Sequence, residues 1–145
     1  MSEKGEFLVE LYSICDMGVK SITDLLNIIK SKENKIKNLL ENELKEYEQS
    51  YKEIKKVLSD NNIAIPNSGL IAKVSSSIGM HMELMRDNSD TKIADMLTQG
   101  YTMGLLEITK LLKKYNNSIG KEELKIANDM KKYHNKNITE LKKYL

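Results

Sequence analysis

The sequence predicts an all-α protein: four long helices in a bundle, with one long, partly helical connection in the middle. Three observations carry this. Leu, Ile, Lys, Glu and Met are abundant among the 145 residues, and proline occurs once. No run of four to eight residues alternates apolar and polar between turn formers, so strands are not expected. Apolar residues recur at steps of three and four along four segments, the spacing of one helical stripe. One domain covering residues 1–145 is long enough to bury a core unaided.

The first helix is expected over about 3–30, with Ser2 as its cap. Its stripe reads Leu8, Leu11, Cys15, Gly18/Val19, Ile22, Leu25/Leu26, Ile29. Ser31-Lys32 makes a very short break, with Ser31 placed to cap the next helix. The second helix follows over about 33–59, with Ile36, Leu40, Glu43/Leu44, Tyr47, Tyr51, Ile54 and Leu58 on one face. A connection that short joins antiparallel neighbours.

The stretch from Asn61 to Asn88 opens on Pro66 among Asn, Ser and Gly and closes on Asp87-Asn88-Ser89-Asp90. Between these lies an amphipathic helix expected over about 69–86, carrying Leu70, Ile71, Val74, Ile78, His81/Met82 and Met85. Tight helix–helix turns take about 2–8 residues. This stretch is far longer and can run the length of a bundle, which lets the second and third helices lie parallel. The third helix is expected over about 89–115, capped by Asp87 or Ser89, with Ile93/Ala94, Leu97, Tyr101, Gly104/Leu105, Ile108, Leu111/Leu112 and Tyr115 inward. Asn116 to Gly120 is a second short break. The fourth helix is expected over about 121–144, with Leu124, Ala127, Met130, His134, Ile138 and Leu141 inward.

The formal net charge is +2, acidic and basic residues are interleaved, and Arg86 is the only arginine. Bidentate reading of phosphate or guanine favours arginine, so no nucleic-acid partner is expected. No apolar run approaches the length of a membrane span. The charged first residues do not resemble a leader peptide, and the lone Cys15 leaves no intrachain disulfide, so the cytoplasm is the expected compartment. The richness in Lys, Asn and Ile fits an AT-rich bacterial genome.

Two tight hairpins joined by one long crossover is the ferritin-like connectivity. That pattern, with the run Ile93-Ala94-Asp95-Met96-Leu97-Thr98-Gln99-Gly100-Tyr101-Thr102-Met103-Gly104, resembles small uncharacterised ferritin-like proteins of clostridia-type bacteria. The resemblance covers nearly the whole chain. It implies a ferritin-like four-helix bundle and assigns no activity.

A di-iron site in such a bundle needs a carboxylate from each of two helices and a Glu-x-x-His from each of the other two. The second helix has Glu41, Glu43, Glu46, Glu48 and Glu53 but no histidine. His134 on the fourth is preceded at the key spacing by Lys131, an ammonium where a ligand should stand. Asp16, Asp24, Asp95 and Glu107 fall beside their stripes. Glu43 shares the inner position with Leu44, and a slip of one residue exchanges them. No cofactor is therefore expected. Iron is the alternative, with Glu43, Glu107 and His134 as candidate ligands.

Met80-His81-Met82 with Met85 has the soft donors that Cu(I) takes, but a helix points them to different faces, so packing is the expected role. Gly100 and Gly104 form a G-x-x-x-G step, expected to let Gly18 of the first helix or a second subunit approach closely. Cys15 is expected to be a small buried hydrophobe, and the seam tyrosines ordinary core residues. The function expected is that of a non-enzymatic interaction or structural protein, in a homo-oligomer or with a protein partner. A metal-binding oxidoreductase or iron-handling protein is the alternative.

Overall fold

The computed structural model describes residues 1–66, 84 and 86–145. It contains α1 (Glu3–Ile28), α2 (Lys37–Asp60), α3 (Asp90–Tyr115) and α4 (Lys121–Leu141), the last running into a 3-10 turn at Lys142–Tyr144. No strand occurs among the described residues. No described helix is long and apolar enough to cross a membrane. The helix expected over 69–86, with its methionines and His81, lies outside the described residues apart from Leu84, which is buried, and Arg86, which is exposed.

The helix ends follow local chemistry. Ser2 Oγ accepts the Gly5 amide at 3.1 Å, and Glu3 and Glu6 occupy the first turn, where a carboxylate favours the helix N-terminus. Ser89 does the same for α3, its Oγ accepting the Lys92 amide at 3.2 Å. At the end of α2, Asn62 turns left-handed with φ of 56°. The Ile63 amide then reaches the Leu58 carbonyl and the Asn62 amide the Ser59 carbonyl, a Schellman closure.

The break between α1 and α2 is longer than expected. α1 stops at Ile28 and α2 starts at Lys37 without a side-chain cap, so Ser31 caps nothing there. The reason is a competing anchor. Asn34 Nδ2 donates to Asp90 Oδ1 at 2.9 Å and to the Asn88 carbonyl at 3.0 Å, while the Lys35 amide donates to Asp90 Oδ2 at 3.1 Å. Ile29 and Ile36 are fully buried beneath this loop.

α1 packs on α2 and α3, and α4 packs on the same two helices. α2 and α3 therefore face each other across one diagonal, and α1 and α4 across the other. The ring of Tyr115 at the end of α3 meets Phe7 at the start of α1, so these two run antiparallel. Glu46 reaches Lys136 at 2.8 Å while the field of Glu53 acts on Lys125, so α2 and α4 are antiparallel too. α2 and α3 are thus parallel. The chain leaves α2 with Ile63 beside Gly5 and re-enters at Asn88 beside Asn34, at opposite ends of the bundle.

The apolar stripes meet in one core that includes Phe7, Leu11, Leu25, Leu40, Ile54 and Ile108, all fully buried. In α2 the register places Glu43 inside at 0% exposure and leaves Leu44 half-buried. In α4 the inward stripe starts one residue earlier than expected. Leu124 is exposed, and Glu123 is buried with Lys4 Nζ at 2.8 Å from its Oε1. The ion pair with the start of α1 lets the carboxylate take the inner place.

Candidate functional site

The middle of this apolar core is polar. Glu43 and Tyr47 stand one turn apart on α2. Tyr101 enters from α3, and Tyr133, His134 and Asn137 enter from α4. Glu43, His134 and Asn137 are wholly buried. Such groups must find partners within the protein or carry a desolvation cost.

They find them in two short bonds. The Tyr101 hydroxyl donates to Glu43 Oε1 at 2.5 Å, and Asn137 Nδ2 donates to that hydroxyl at 3.4 Å. The Tyr47 hydroxyl and His134 Nε2 are 2.6 Å apart. The rings of Tyr47 and Tyr101 are parallel within 7° at 5.8 Å, and the imidazole stands edge-on to both at 5.4 and 5.0 Å.

Burial sets the protonation. It pushes Glu43 up to about 7, against the opposing hydrogen bond from Tyr101. It pushes His134 down to about 4, with the Tyr101 carbonyl acting weakly the other way. The imidazole is therefore neutral at neutral pH. His134 Nδ1 makes no hydrogen bond of good geometry, and the Tyr101 carbonyl can only accept. With the imidazole proton on Nδ1, facing that carbonyl, Nε2 accepts from Tyr47. Glu43 Oε2 and Asn137 Oδ1 have no hydrogen-bond partner.

A sulfur pair lies beside this network. Cys15 Sγ donates to Met130 Sδ at 3.7 Å, and the Tyr133 hydroxyl faces Cys15 and Ser50. Burial pushes the Cys15 thiol up to about 12, which makes it an unreactive hydrophobe, as its place on the α1 stripe implied.

Above the network, α1 and α3 part to form a groove of about 370 Å³. The rings of Tyr47 and Tyr101 line its depth, Gly18, Gly100 and Gly104 line its walls, and Met17 and Met103 stand exposed at its rim. Within the chain the glycine step does not seat the α1 backbone, the first of the two expected neighbours. Gly18 receives the Tyr47 ring and Gly104 receives the His134 ring, while Gly100 has nothing within 4 Å.

The three candidate ligands do not converge. Glu43 and His134 join one cluster around Tyr101, but Glu107 lies on the groove rim, more than half exposed, with Lys110 at 3.6 Å. Among the described residues no three His, Cys, Asp or Glu side chains gather to hold a metal ion. Among the described residues the donor set at this central cluster, one carboxylate and one imidazole tied to tyrosines, does not fit a di-iron centre. Asp16, expected beside its stripe, is also buried, where it accepts from Lys20 at 3.0 Å and from Tyr51 at 3.1 Å. The i,i+4 step Glu43–Tyr47 and the run Tyr133-His134…Asn137 were the available signals for the polar network.

Comparison with protein-family models, curated proteins and solved structures finds no match.

Proposed function

We propose that the chain is a ferritin-like bundle without a complete di-iron site, acting in the cytoplasm as a non-enzymatic interaction protein that pairs with a second copy of itself. One observation carries the reading. Among the described residues of the central polar cluster, the one carboxylate, Glu43, is engaged by Tyr101, and the one histidine, His134, is engaged by Tyr47. These engagements leave no free carboxylate–imidazole pair for a di-iron centre, and the surface that meets a partner is on the outside.

The α1–α3 face supports self-association. Met17 and Met103 are exposed there, on the lining of an apolar groove on the same face. Knob and hole on one patch are self-complementary, the requirement of a two-fold contact. Other large exposed apolar residues include Met1, Ile65 and Leu145, which lie at chain or helix ends.

Sedimentation of the native chain across a concentration series, repeated with Met17→Glu/Met103→Glu, tests this. A dimer that the double variant converts to a folded monomer is the expected result. A native monomer at all concentrations overturns the pairing. Ferrous titration of protein kept free of oxygen tests the rest: saturable uptake abolished by Glu43→Gln would replace the proposal with an iron-handling one.

A further inference from the structure

The geometry points to a redox site: Tyr47 undergoes reversible one-electron oxidation by a small radical oxidant that enters the α1–α3 groove, passing its phenolic proton to His134. The inference goes beyond the proposed pairing and needs the groove open, so it concerns the unpaired chain. It rests on three features of the core.

The first is the base. A phenol that loses an electron becomes a strong acid, so its oxidation is favourable only if the proton has somewhere to go at the same moment. His134 Nε2 lies 2.6 Å from the Tyr47 hydroxyl on a ring that burial keeps neutral, and in the Nδ1–H tautomer it is open to take that proton. The second is access with protection. The Tyr47 ring lines a groove wide enough for a small oxidant, yet the residue is only 5% exposed. A radical there cannot couple with one on another molecule. The third is company. Tyr101 stacks parallel on Tyr47 and has its own proton acceptor in Glu43 at 2.5 Å.

The step balances. One electron leaves the Tyr47 phenol for the oxidant, which is reduced by one electron. The phenolic O–H bond breaks, and its proton forms a bond to His134 Nε2. The products are a neutral tyrosyl radical and an imidazolium that donates back to it. A one-electron reductant of the thiol or ascorbate class restores the phenol as the proton returns from Nε2.

Azidyl radical, generated by pulse radiolysis in the presence of the full chain, is the probe. Samples frozen after the pulse are read by electron paramagnetic resonance and by proton hyperfine spectroscopy in light and heavy water. A long-lived tyrosyl signal with one strongly coupled exchangeable proton is expected. Tyr47→Phe should remove that signal. His134→Gln should shorten its lifetime about tenfold, the scale set by losing one charge-assisted hydrogen bond. A signal unchanged in Tyr47→Phe overturns the assignment. So does a native radical without the exchangeable proton, a measurement that needs no variant to fold.

Discussion

Gly104 stands over the imidazole of His134 so closely that a Cβ there would lie 2.7 Å from Cε1 and 3.1 Å from Nδ1. The same holds for Gly18 and Tyr47, where a Cβ would meet the ring at 2.5 Å. The hydrogen bond between the two rings ties each to the other, so neither can swing away cheaply. Alanine in a helix is worth about 0.5–1 kcal/mol over glycine, whereas overpacking a core costs about 1–3 kcal/mol. Gly18→Ala and Gly104→Ala should each lower stability, and Gly100→Ala, with open space, should raise it by about 0.5–1 kcal/mol. Urea melts of the three variants check this. If Gly104→Ala behaved like Gly100→Ala, the imidazole would not be seated where it is described.

Glu43 and His134 bear opposite pH costs. Glu43 binds its proton more tightly folded than unfolded, because burial raises it from 4.5 to about 7. Its contribution is full below pH 4.5 and is lost as pH rises through 7. His134 binds its proton less tightly folded, because burial lowers it from 6.5 to about 4. Its contribution is full above pH 6.5 and is lost as pH falls through 4. Each effect is worth about 3 kcal/mol, at about 1.4 kcal/mol for every tenfold in proton affinity. In the native chain the two nearly cancel. Relative to it, Glu43→Gln should gain stability as pH rises from 4.5 to 7, and His134→Gln should gain it as pH falls from 6.5 to 4. Denaturant midpoints across that range decide the matter. Parallel profiles for native and Glu43→Gln would mean that Glu43 titrates normally.

Much of the bundle is legible in the spacing. Leu8, Leu11, Cys15, Ile22 and Leu25 lie on a stripe that a straight helix dictates, and all are buried. The long stretch after α2, set against two short breaks, implies the parallel α2–α3 pair that follows from Phe7 meeting Tyr115 and Glu46 meeting Lys136. What could not be read locally depends on partners far away in sequence. Glu123 displaces Leu124 inward because Lys4 meets it from the other end of the chain. Glu43 takes the inner position over Leu44 because Tyr101 supplies a hydroxyl across the diagonal. Ser31 fails as a cap because Asp90 holds the following residues in a loop.

Asp90 ties the α1–α2 loop to the start of α3, and so fixes which end of the bundle α3 starts from. It accepts two hydrogen bonds, from Asn34 at 2.9 Å and from the Lys35 amide at 3.1 Å, and it sits in the first turn of α3. Hydrogen bonds to a charged acceptor are worth about 1.5–3 kcal/mol, and a carboxylate at a helix start adds about 0.3–1. Asp90→Ala should therefore destabilise by about 2–3 kcal/mol, near the lower bound because the site is partly wet. Asp95→Ala, which removes only an exposed contact to Gln99 at 3.3 Å, should fall within about 0.5 kcal/mol of native. Thermal melts compare them. Equal effects would show that the loop is not held by Asp90.

Cys15 reports on the opening of the bundle. It is fully buried on α1 and touches Met130 on α4, its diagonal partner, so a reagent can reach it only if those helices separate. The reactive species is the thiolate: burial holds the thiol up at about 12, so the closed state has almost none at pH 8, whereas in the opened state the thiol is solvated and reacts as a free cysteine. The barrier to labelling is therefore the free energy of opening, which a labelling rate measures directly when reclosing is fast. Iodoacetamide at pH 8 should leave the native chain unmodified over times that fully label it in denaturant. Adding urea below the unfolding midpoint should speed labelling in step with the loss of stability. Prompt labelling of the native chain would show that α1 and α4 part readily, and that the polar network between them is wet.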